Sequence, residues 1–170
     1  MGLAWRGDLV AGLVFGHRTS EAARSALRHA LERPRPRHRV ASGVSAVAVP
    51  TMEGLVDELS RFAAGEPVDL AQVQVDDSHL TPYARRVAAA CRRIAWGETR
   101  TYGQLAAECG SPAAARAVGQ VMATNRYPLI VPCHRVLAAG GSLGGFSAPQ
   151  GLTMKRRLLA MEGATRSVLG

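Results

Sequence analysis

The stretch LIVPCHRV, residues 129–136, sets a cysteine beside a histidine, directly after a proline and an apolar run. The apolar residues 129–131 predict a short buried strand. Pro132 has no N–H and fixes its own backbone, so it ends ladder pairing ahead of Cys133. A thiol at the end of a strand and beside an imidazole can act as a nucleophile. Most free cysteines are small buried core residues, so these eight residues alone leave both interpretations of Cys133 open.

The chain has 170 residues, 47% of them hydrophobic, which is enough for one large domain or two small ones. No apolar run reaches the ~18–20 residues of a membrane span. The first residues do not resemble a signal peptide, because a charged and glycine-containing segment, residues 6–8, interrupts them. We therefore expect a cytoplasmic protein without membrane contact. Its three cysteines, at positions 91, 109 and 133, should stay reduced, and their wide spacing favours neither a disulfide framework nor a zinc site.

The positive charge is confined to the second half of the chain. Residues 1–80 hold 9 Arg and 10 Asp or Glu, a net charge of −1, whereas residues 81–170 hold 12 Arg or Lys and 3 acids, a net charge of +9. This asymmetry indicates a polyanionic partner for the second half, with nucleic acid as the first candidate. A generally arginine-rich composition would explain the preference for Arg over Lys, but not the scarcity of acids after Asp77.

The first half predicts mixed α and β structure without a catalytic constellation. We expect a hairpin over residues 3–15, a helix capped by Ser20 and running to about residue 31, a strand over 44–49, a helix over 51–64 and a strand over 70–75. The Arg- and Pro-rich segment 33–39 cannot be helical; it is either an exposed loop or a contact to phosphates. Residues 76–79, DDSH, form either a solvated linker or a metal site.

The second half predicts helices with clear boundaries. Thr81 and Pro82 fit the N-cap and first position of a helix, on whose apolar stripe Cys91 is a core residue. Thr101 and Gln104 form a capping-box pattern that starts a helix over residues 102–109. Gly110 ends that helix, and a second one follows over residues 112–124. Two short helices in this order are typical of a helix-turn-helix, in which Arg116 and its alanine neighbours would face DNA.

The last helix, residues 153–161, is predicted to turn Lys155, Arg156 and Arg157 outward. Glu162 follows at its C-terminal end, where a carboxylate opposes the helix dipole. Its spacing points it toward the apolar side, so a polar partner such as a histidine is expected. A fully exposed Glu162 is the alternative. The glycine-rich residues 140–145 lack the context of a phosphate-binding loop and predict a flexible loop bordering a site.

The strings WGETRTYGQLA (96–106), AARAVG (114–119) and PCHRV (132–136), with residues 155–162, resemble the O6-alkylguanine-DNA alkyltransferases. The resemblance is dense over residues 83–163. It implies an α+β fold with an N-terminal ribonuclease-H-like α/β domain, residues 1–80. A mainly helical C-terminal domain with a helix-turn-helix, residues 81–170, would follow.

The resemblance also implies the chemistry. An alkyl group would move from O6 of guanine, and less well from O4 of thymine, to Cys133, once per molecule and without metal or organic cofactor. A lowered thiol pKa is expected from the basic surroundings and the imidazole. His134 would act through a water, Glu162 would orient the imidazole, and Asn125 would brace the turn before the cysteine.

The implied partner is double-stranded DNA, bound by a monomer through the minor groove with the damaged base flipped out. Arg116 would fill the gap in the stack and Tyr102 would press on a phosphate. The further residues assigned by resemblance are Ala115, Ala117 and Gly119 on the DNA-facing helix, and the Val136 backbone, Phe146 and Ser147 around the guanine.

Some positions depart from the family pattern. Arg126 follows Asn125 where a proline is usual, Phe146 replaces a tyrosine, and the segment 147–150 is longer than in many members. The longer segment leaves the tolerance for bulky alkyl groups open. The chain also begins almost inside its first strand, so the N-terminal sheet edge is expected to be incomplete.

Two other functions remain open. A lesion-binding protein of the alkyltransferase-like type would recognise damage without repairing it, although such proteins lack the cysteine. A cysteine hydrolase or redox enzyme would use Cys133 and His134 with turnover, but it gives no reason for the basic helix pair.

Overall fold

The computed structural model describes residues 1–32 and 52–164, which form a mixed α+β structure with two small sheets. The predicted loop 33–39 and strand 44–49 lie outside the described residues. Short 3-10 turns occupy Cys133–Arg135 and Ala139–Gly141. The strands and helices in chain order are β1 Gly2–Arg6, β2 Leu9–Val14, α1 Ser20–Glu32, α2 Met52–Ala63, α3 Pro82–Arg92, β3 Arg100–Thr101, α4 Tyr102–Glu108, α5 Ala115–Ala123, β4 Val136–Leu137 and α6 Gly151–Met161.

The N-terminal hairpin is confirmed: β1 and β2 pair antiparallel around a turn in which Gly7 adopts a φ of +57°. Helix α1 packs on this hairpin. Its N-cap is Thr19, whose hydroxyl accepts the N–H of Ala22 at 3.1 Å, so the prediction of Ser20 as the cap was wrong by one residue. Helix α2 ends before Gly65, which has a φ of +88° as expected of a helix terminator.

The predicted strand over residues 70–75 is wrong. Residues 70–73 form a turn, and only Val75 makes an isolated parallel bridge, to Val10. The guanidinium of Arg92 donates to the carbonyls of Ala71 and Val73, which holds these apolar residues in a turn instead of a ladder. The linker interpretation of residues 76–79 also fails for Asp76, which is buried and paired with Arg6.

At two helix starts of the second half, the predicted caps are confirmed. Thr81 accepts the N–H of Ala84, and Thr101 and Gln104 form both hydrogen bonds of the capping box. Helix α5 begins at Ala115 instead of residue 112, because residues 111–114 form a turn closed by the N–H of Ala114 on Ser111. Helices α4 and α5 pack against each other and against α3.

The stretch of residues 129–136 does not contain the predicted strand. Residues 129–131 form a tight turn, in which Leu129 has a φ of +76° and the N–H of Val131 donates to Tyr127 at 2.7 Å. Left-handed backbone at a residue with a Cβ costs about 1–2 kcal/mol, so other contacts must hold this turn. Cys133 consequently opens a 3-10 turn and does not end a strand. The argument that an extended chain points Cys133 and His134 to opposite faces therefore does not apply.

One hydrophobic core joins the two halves of the chain. Its fully buried members include Val10, Leu13, Leu55 and Leu59 from the first half and Val87, Leu105, Val118 and Val136 from the second. Cys91 belongs to it, as predicted. The PCHRV stretch lies where the halves meet. None of the helices in residues 1–32 and 52–164 is long and apolar enough to cross a membrane.

Candidate active site

The side chain of Asn125 holds the turn in front of the cysteine. Its Nδ2 donates to the carbonyl of Val131 at 2.8 Å, and its Oδ1 accepts the N–H of Tyr127 at 2.9 Å. These two bonds tie both ends of the left-handed turn. The N–H of Cys133 donates to the same Val131 carbonyl at 2.7 Å, so Asn125 fixes the backbone that presents the thiol.

Cys133 is buried, with only 6% of the residue exposed. Burial raises its pKa, opposed by a hydrogen bond from Asn125, the positive charge of Lys155 and the backbone N–H groups of Cys133 and His134. The pKa lowering expected from the sequence is therefore wrong for the protein without DNA. The raised pKa favours the protonated thiol. The groups that oppose the effect of burial are those that would stabilise the thiolate once it forms.

Glu162 has the buried polar partner that its position predicted, so the exposed alternative is wrong. Its Oε1 lies 2.8 Å from Nε2 of His134, and Arg135 donates from Nε to Oε2 at 2.8 Å and from Nη2 to Oε1 at 2.9 Å. Burial alone would raise the pKa of Glu162, but the hydrogen bonds and charges of His134 and Arg135 lower it. Burial lowers the pKa of His134, which outweighs the opposing effect of Glu162. A neutral imidazole beside a carboxylate keeps its hydrogen on Nε2, which leaves Nδ1 as a proton acceptor.

Aromatic rings and a glycine enclose this ionic group. Cζ of Arg135 lies over the ring of Trp96, 6.0 Å from the ring centroid. Phe62 of α2 meets the His134 ring edge-on. Gly97 has a φ of +78°, and a Cβ there would lie 2.9 Å from the Glu162 carbonyl oxygen. Only glycine therefore allows the two chain segments to approach this closely.

A cavity of about 540 Å³ leads from the thiol to the surface beside α5. We call it the helix-side cavity. The structure brings most of the predicted DNA- and base-contacting residues together here: the lining includes Tyr102, Ala115, Arg116, Gly119, Cys133, Phe146 and Ser147. Arg116 and Ala117 are exposed. Val136 is fully buried and is not among the residues that line this cavity, so the place of its backbone around the guanine stays a prediction.

The glycine-rich loop closes over Tyr102, as expected of a loop bordering a site. Gly144 has a φ of +62°, and a Cβ there would lie 3.0 Å from the Tyr102 ring. Burial raises the pKa of the Tyr102 hydroxyl, which therefore stays protonated and available as a hydrogen-bond donor.

Known proteins are similar to this chain in both sequence and fold. Residues 82–164 match the family model of the 6-O-methylguanine DNA methyltransferase DNA-binding domain. A methylated-DNA–protein-cysteine methyltransferase of Salmonella typhimurium is 39% identical over 123 residues, which cover 71% of this chain and 69% of that protein. The solved O6-methylguanine methyltransferase of Mycobacterium tuberculosis is 35% identical and aligns over 95% of this chain and 85% of that chain, with a TM-score of 0.66.

The chain belongs to the methylated-DNA–protein-cysteine methyltransferase family.

Coverage is lower against the Mycobacterium tuberculosis sequence of the same name. That relative is 44% identical over 110 residues, which span 64% of this chain and 64% of the relative. A Mycobacterium tuberculosis OGT structure in complex with DNA is 40% identical over 69% of this chain and 71% of that chain, with a TM-score of 0.59.

Two charged residues of this family member were missed by the sequence argument. Lys155, predicted to point outward, is fully buried and donates from Nζ to the Val136 carbonyl at 2.6 Å. Its burial lowers its pKa to about 8, against the opposing effect of Cys133 and Cys91. Lys155 stands seven residues before Glu162, on the helix face of Leu158 and Leu159, and that spacing was the available signal. Arg135 offered no comparable signal.

A second cavity also reaches the thiol. It measures about 350 Å³ and lies between Cys133 and the first half of the chain, with β2 and α1 as walls. We call it the N-terminal cavity. Within residues 1–32 and 52–164, no three His, Cys, Asp or Glu side chains cluster closely enough to hold a metal ion.

Proposed function

We propose that this protein repairs double-stranded DNA by moving an alkyl group from O6 of guanine, and from O4 of thymine, to Sγ of its own Cys133. The observation that carries the proposal is the buried thiol at the inner end of the helix-side cavity, whose outer wall is α5 with Arg116. Membership of the family supports the same reaction. The proposed reaction requires no metal or organic cofactor.

The thiol must first lose its proton. Nδ1 of His134 is the acceptor, reached through a water, while Glu162 fixes the imidazole and Arg135 keeps the carboxylate ionised. Asn125, the N–H groups of residues 133 and 134, and the ammonium of Lys155 stabilise the resulting thiolate. In the reacting complex, the relay would thus lower the pKa of the Cys133 thiol, which burial raises in the protein without DNA.

The alkyl transfer is a single in-line displacement. The thiolate sulfur attacks the alkyl carbon, and the C–S bond forms as the C–O6 bond breaks. The guanine leaves with the electron pair and is neutralised by a proton, for which the Tyr102 hydroxyl at the cavity wall is the available donor. The thioether at Cys133 has no leaving group of its own, so each molecule acts once.

DNA would reach the thiol along α5. We assign α4 and α5 as a helix-turn-helix that lies in the minor groove, with Arg116 filling the space of the flipped base. Ala115, Ala117 and Gly119 have small side chains or none, so α5 can approach DNA closely. A Cβ at Gly119 would meet nothing within 4 Å. Gly119 therefore serves the approach of DNA and not internal packing. Flipping costs a few kcal/mol, which the phosphate contacts of the basic second half would supply.

The finer architecture belongs to the same proposal. Residues 1–80 would form a ribonuclease-H-like α/β domain and residues 81–170 the DNA-binding and alkyl-accepting domain of a cytoplasmic monomer. The shared core supports tight docking of the two parts.

A labelled duplex tests the proposal. The protein is incubated with a duplex that carries one O6-[³H]methylguanine, and the label is counted per molecule of protein. We expect label on the protein, saturating at one per molecule. Binding without transfer would instead support a lesion-binding protein, and repeated turnover would support a hydrolytic enzyme.

A further inference from the structure

The turn that presents Cys133 is hydrogen-bonded to the first half of the chain at two points. The Arg126 carbonyl accepts the N–H of Leu13 in β2 at 2.8 Å. The Tyr127 hydroxyl donates to the backbone carbonyl of Asp76, 51 residues earlier in the chain. Tyr127 is buried, with 3% of the residue exposed. The first half, in which the sequence predicted no catalytic group, therefore reaches the active site through this turn.

The backbone of Tyr127 joins this contact to the cysteine. Its N–H donates to Oδ1 of Asn125 at 2.9 Å, and its carbonyl accepts the N–H of Val131 at 2.7 Å. Nδ2 of Asn125 and the N–H of Cys133 both donate to the Val131 carbonyl, at 2.8 and 2.7 Å. A displacement of Tyr127 would therefore move the backbone that carries the thiol.

The acceptor of the Tyr127 hydroxyl is itself fixed on the first half. The N–H of Asp76 donates to the Val10 carbonyl of β2 at 2.8 Å. The Asp76 carboxylate pairs with Arg6 of β1 and accepts the N–H and the hydroxyl of Ser78. The carbonyl that Tyr127 contacts is thus held by both strands of the N-terminal hairpin.

The turn depends on contacts of this kind because its backbone is strained. Leu129 has a φ of +76°, and a residue with a Cβ keeps this conformation only where its surroundings hold it there. Burial, and to a smaller extent the charge of Asp76, raises the pKa of the Tyr127 hydroxyl. The phenol therefore keeps its proton and remains a hydrogen-bond donor to the Asp76 carbonyl.

We propose that Tyr127 is a positioning residue for alkyl transfer: through its hydroxyl, the first half of the chain holds the Cys133 turn where the sulfur meets the alkyl carbon in line. This inference rests on the proposed transfer to Cys133. A misplacement of about 1 Å can slow a reaction about 100-fold, so a bond remote from the reacting atoms affects the rate. Tyr127 is not among the residues that line the helix-side cavity, so it would act through the backbone and not on the base.

Removal of one oxygen atom tests the proposal. Tyr127→Phe keeps the ring and loses the bond to Asp76. Tyr83→Phe is the matched control, because the buried Tyr83 hydroxyl of α3 has no hydrogen-bond partner among the described residues. Transfer from a duplex carrying one O6-[³H]methylguanine is followed at increasing duplex concentration. The curves give the maximal rate, the duplex concentration at half that rate and the final label per molecule, and thermal unfolding shows whether each variant is folded.

We expect Tyr127→Phe to lower the maximal rate about tenfold, which corresponds to about 1.4 kcal/mol in the barrier. The half-saturating duplex concentration should stay within about twofold, because α5 is unchanged. The final label should remain one per molecule, a value that partial unfolding would lower. Tyr83→Phe should match the wild type in all three quantities. A maximal rate within about twofold of the wild type for folded Tyr127→Phe, or slowing that comes only from weaker duplex binding, would overturn the proposal.

Arg6→Met is the second variant and decides the matter if Tyr127→Phe does not fold. Arg6 is half exposed, and its loss removes the ion pair between β1 and Asp76 without a change in the turn itself. Arg61→Met, which removes exposed ion pairs of α2, is its control. We expect Arg6→Met to lower the maximal rate at least about threefold relative to Arg61→Met, and equal rates would overturn the proposal. Absence of transfer by the wild type would instead count against the proposed function itself.

Discussion

Nε2 of His134 lies 2.8 Å from Oε1 of Glu162, and both side chains are closed to solvent although 28 residues separate them in the chain. Arg135 completes the group with two hydrogen bonds to the same carboxylate. A buried carboxylate with three donors orients the imidazole and cannot be neutralised without leaving donors unpaired. This buried hydrogen-bonded group is therefore part of the framework of the fold as well as of the proposed relay.

Glu162→Gln should weaken both the fold and the reaction. The amide leaves the Arg135 charge buried without a counter-charge, which costs about 3–5 kcal/mol, and it no longer fixes the His134 tautomer. Urea unfolding and the rate of transfer to Cys133 measure the two effects. Glu98→Gln, in an exposed pair with Arg100, is the control and should change the free energy of unfolding by less than about 1 kcal/mol. A free energy of unfolding for Glu162→Gln equal to that of the wild type would contradict the structural role of Glu162.

The pH dependence of stability should report Lys155. Its pKa is about 8 in the folded protein and about 10.4 in an unfolded chain, so between these values the unfolded state binds the extra proton. The stability of the wild type relative to Lys155→Met should therefore rise as the pH increases from about 8 to 10.4. Below pH 8 both states are charged and the difference should be flat. Denaturant unfolding of the two proteins at several pH values measures it, and a falling difference above pH 8 would contradict the burial of a charged Lys155.

Arg116→Ala should slow repair in duplex DNA far more than reaction with free alkylated guanine base. The free base needs no flipping, and Arg116 is an exposed residue of the helix-side cavity wall. Rates with the two substrates give the ratio, and Arg157→Ala on the exposed side of α6 is the charge-matched control. Equal slowing with both substrates would remove the base-flipping role.

Gly97→Ala should destabilise the protein by about 1–3 kcal/mol or more. The new Cβ meets the Glu162 carbonyl at 2.9 Å in a left-handed backbone. Gly119→Ala, with open space and helical backbone, is the matched control and should not lower the melting temperature. A melting temperature for Gly97→Ala equal to that of the wild type would show that these segments do not need the close approach.

The features that could be predicted from the sequence depend on residues close to one another in the chain. The capping box of Thr101 and Gln104 and the N-cap at Thr81 involve residues within one helical turn, and the structure contains both. The turn at 129–131 was missed because a side chain six residues away from Val131, that of Asn125, supplies its hydrogen bond. Lys155 was missed because its acceptor, the Val136 carbonyl, is distant in sequence. Composition could not reveal the raised pKa of Cys133, because burial in the assembled core dominates it.

Transfer to one defined sulfur is the central claim, and peptide mapping after reaction tests it most directly. Wild-type protein and Cys133→Ala are incubated with a duplex carrying O6-[³H]methylguanine and digested, and DNA binding of both is measured in parallel. The account predicts label on the wild-type peptide that contains Cys133, none on Cys133→Ala, and DNA binding by both. Label on the peptide of Cys91 or Cys109, or labelled Cys133→Ala protein, would contradict it.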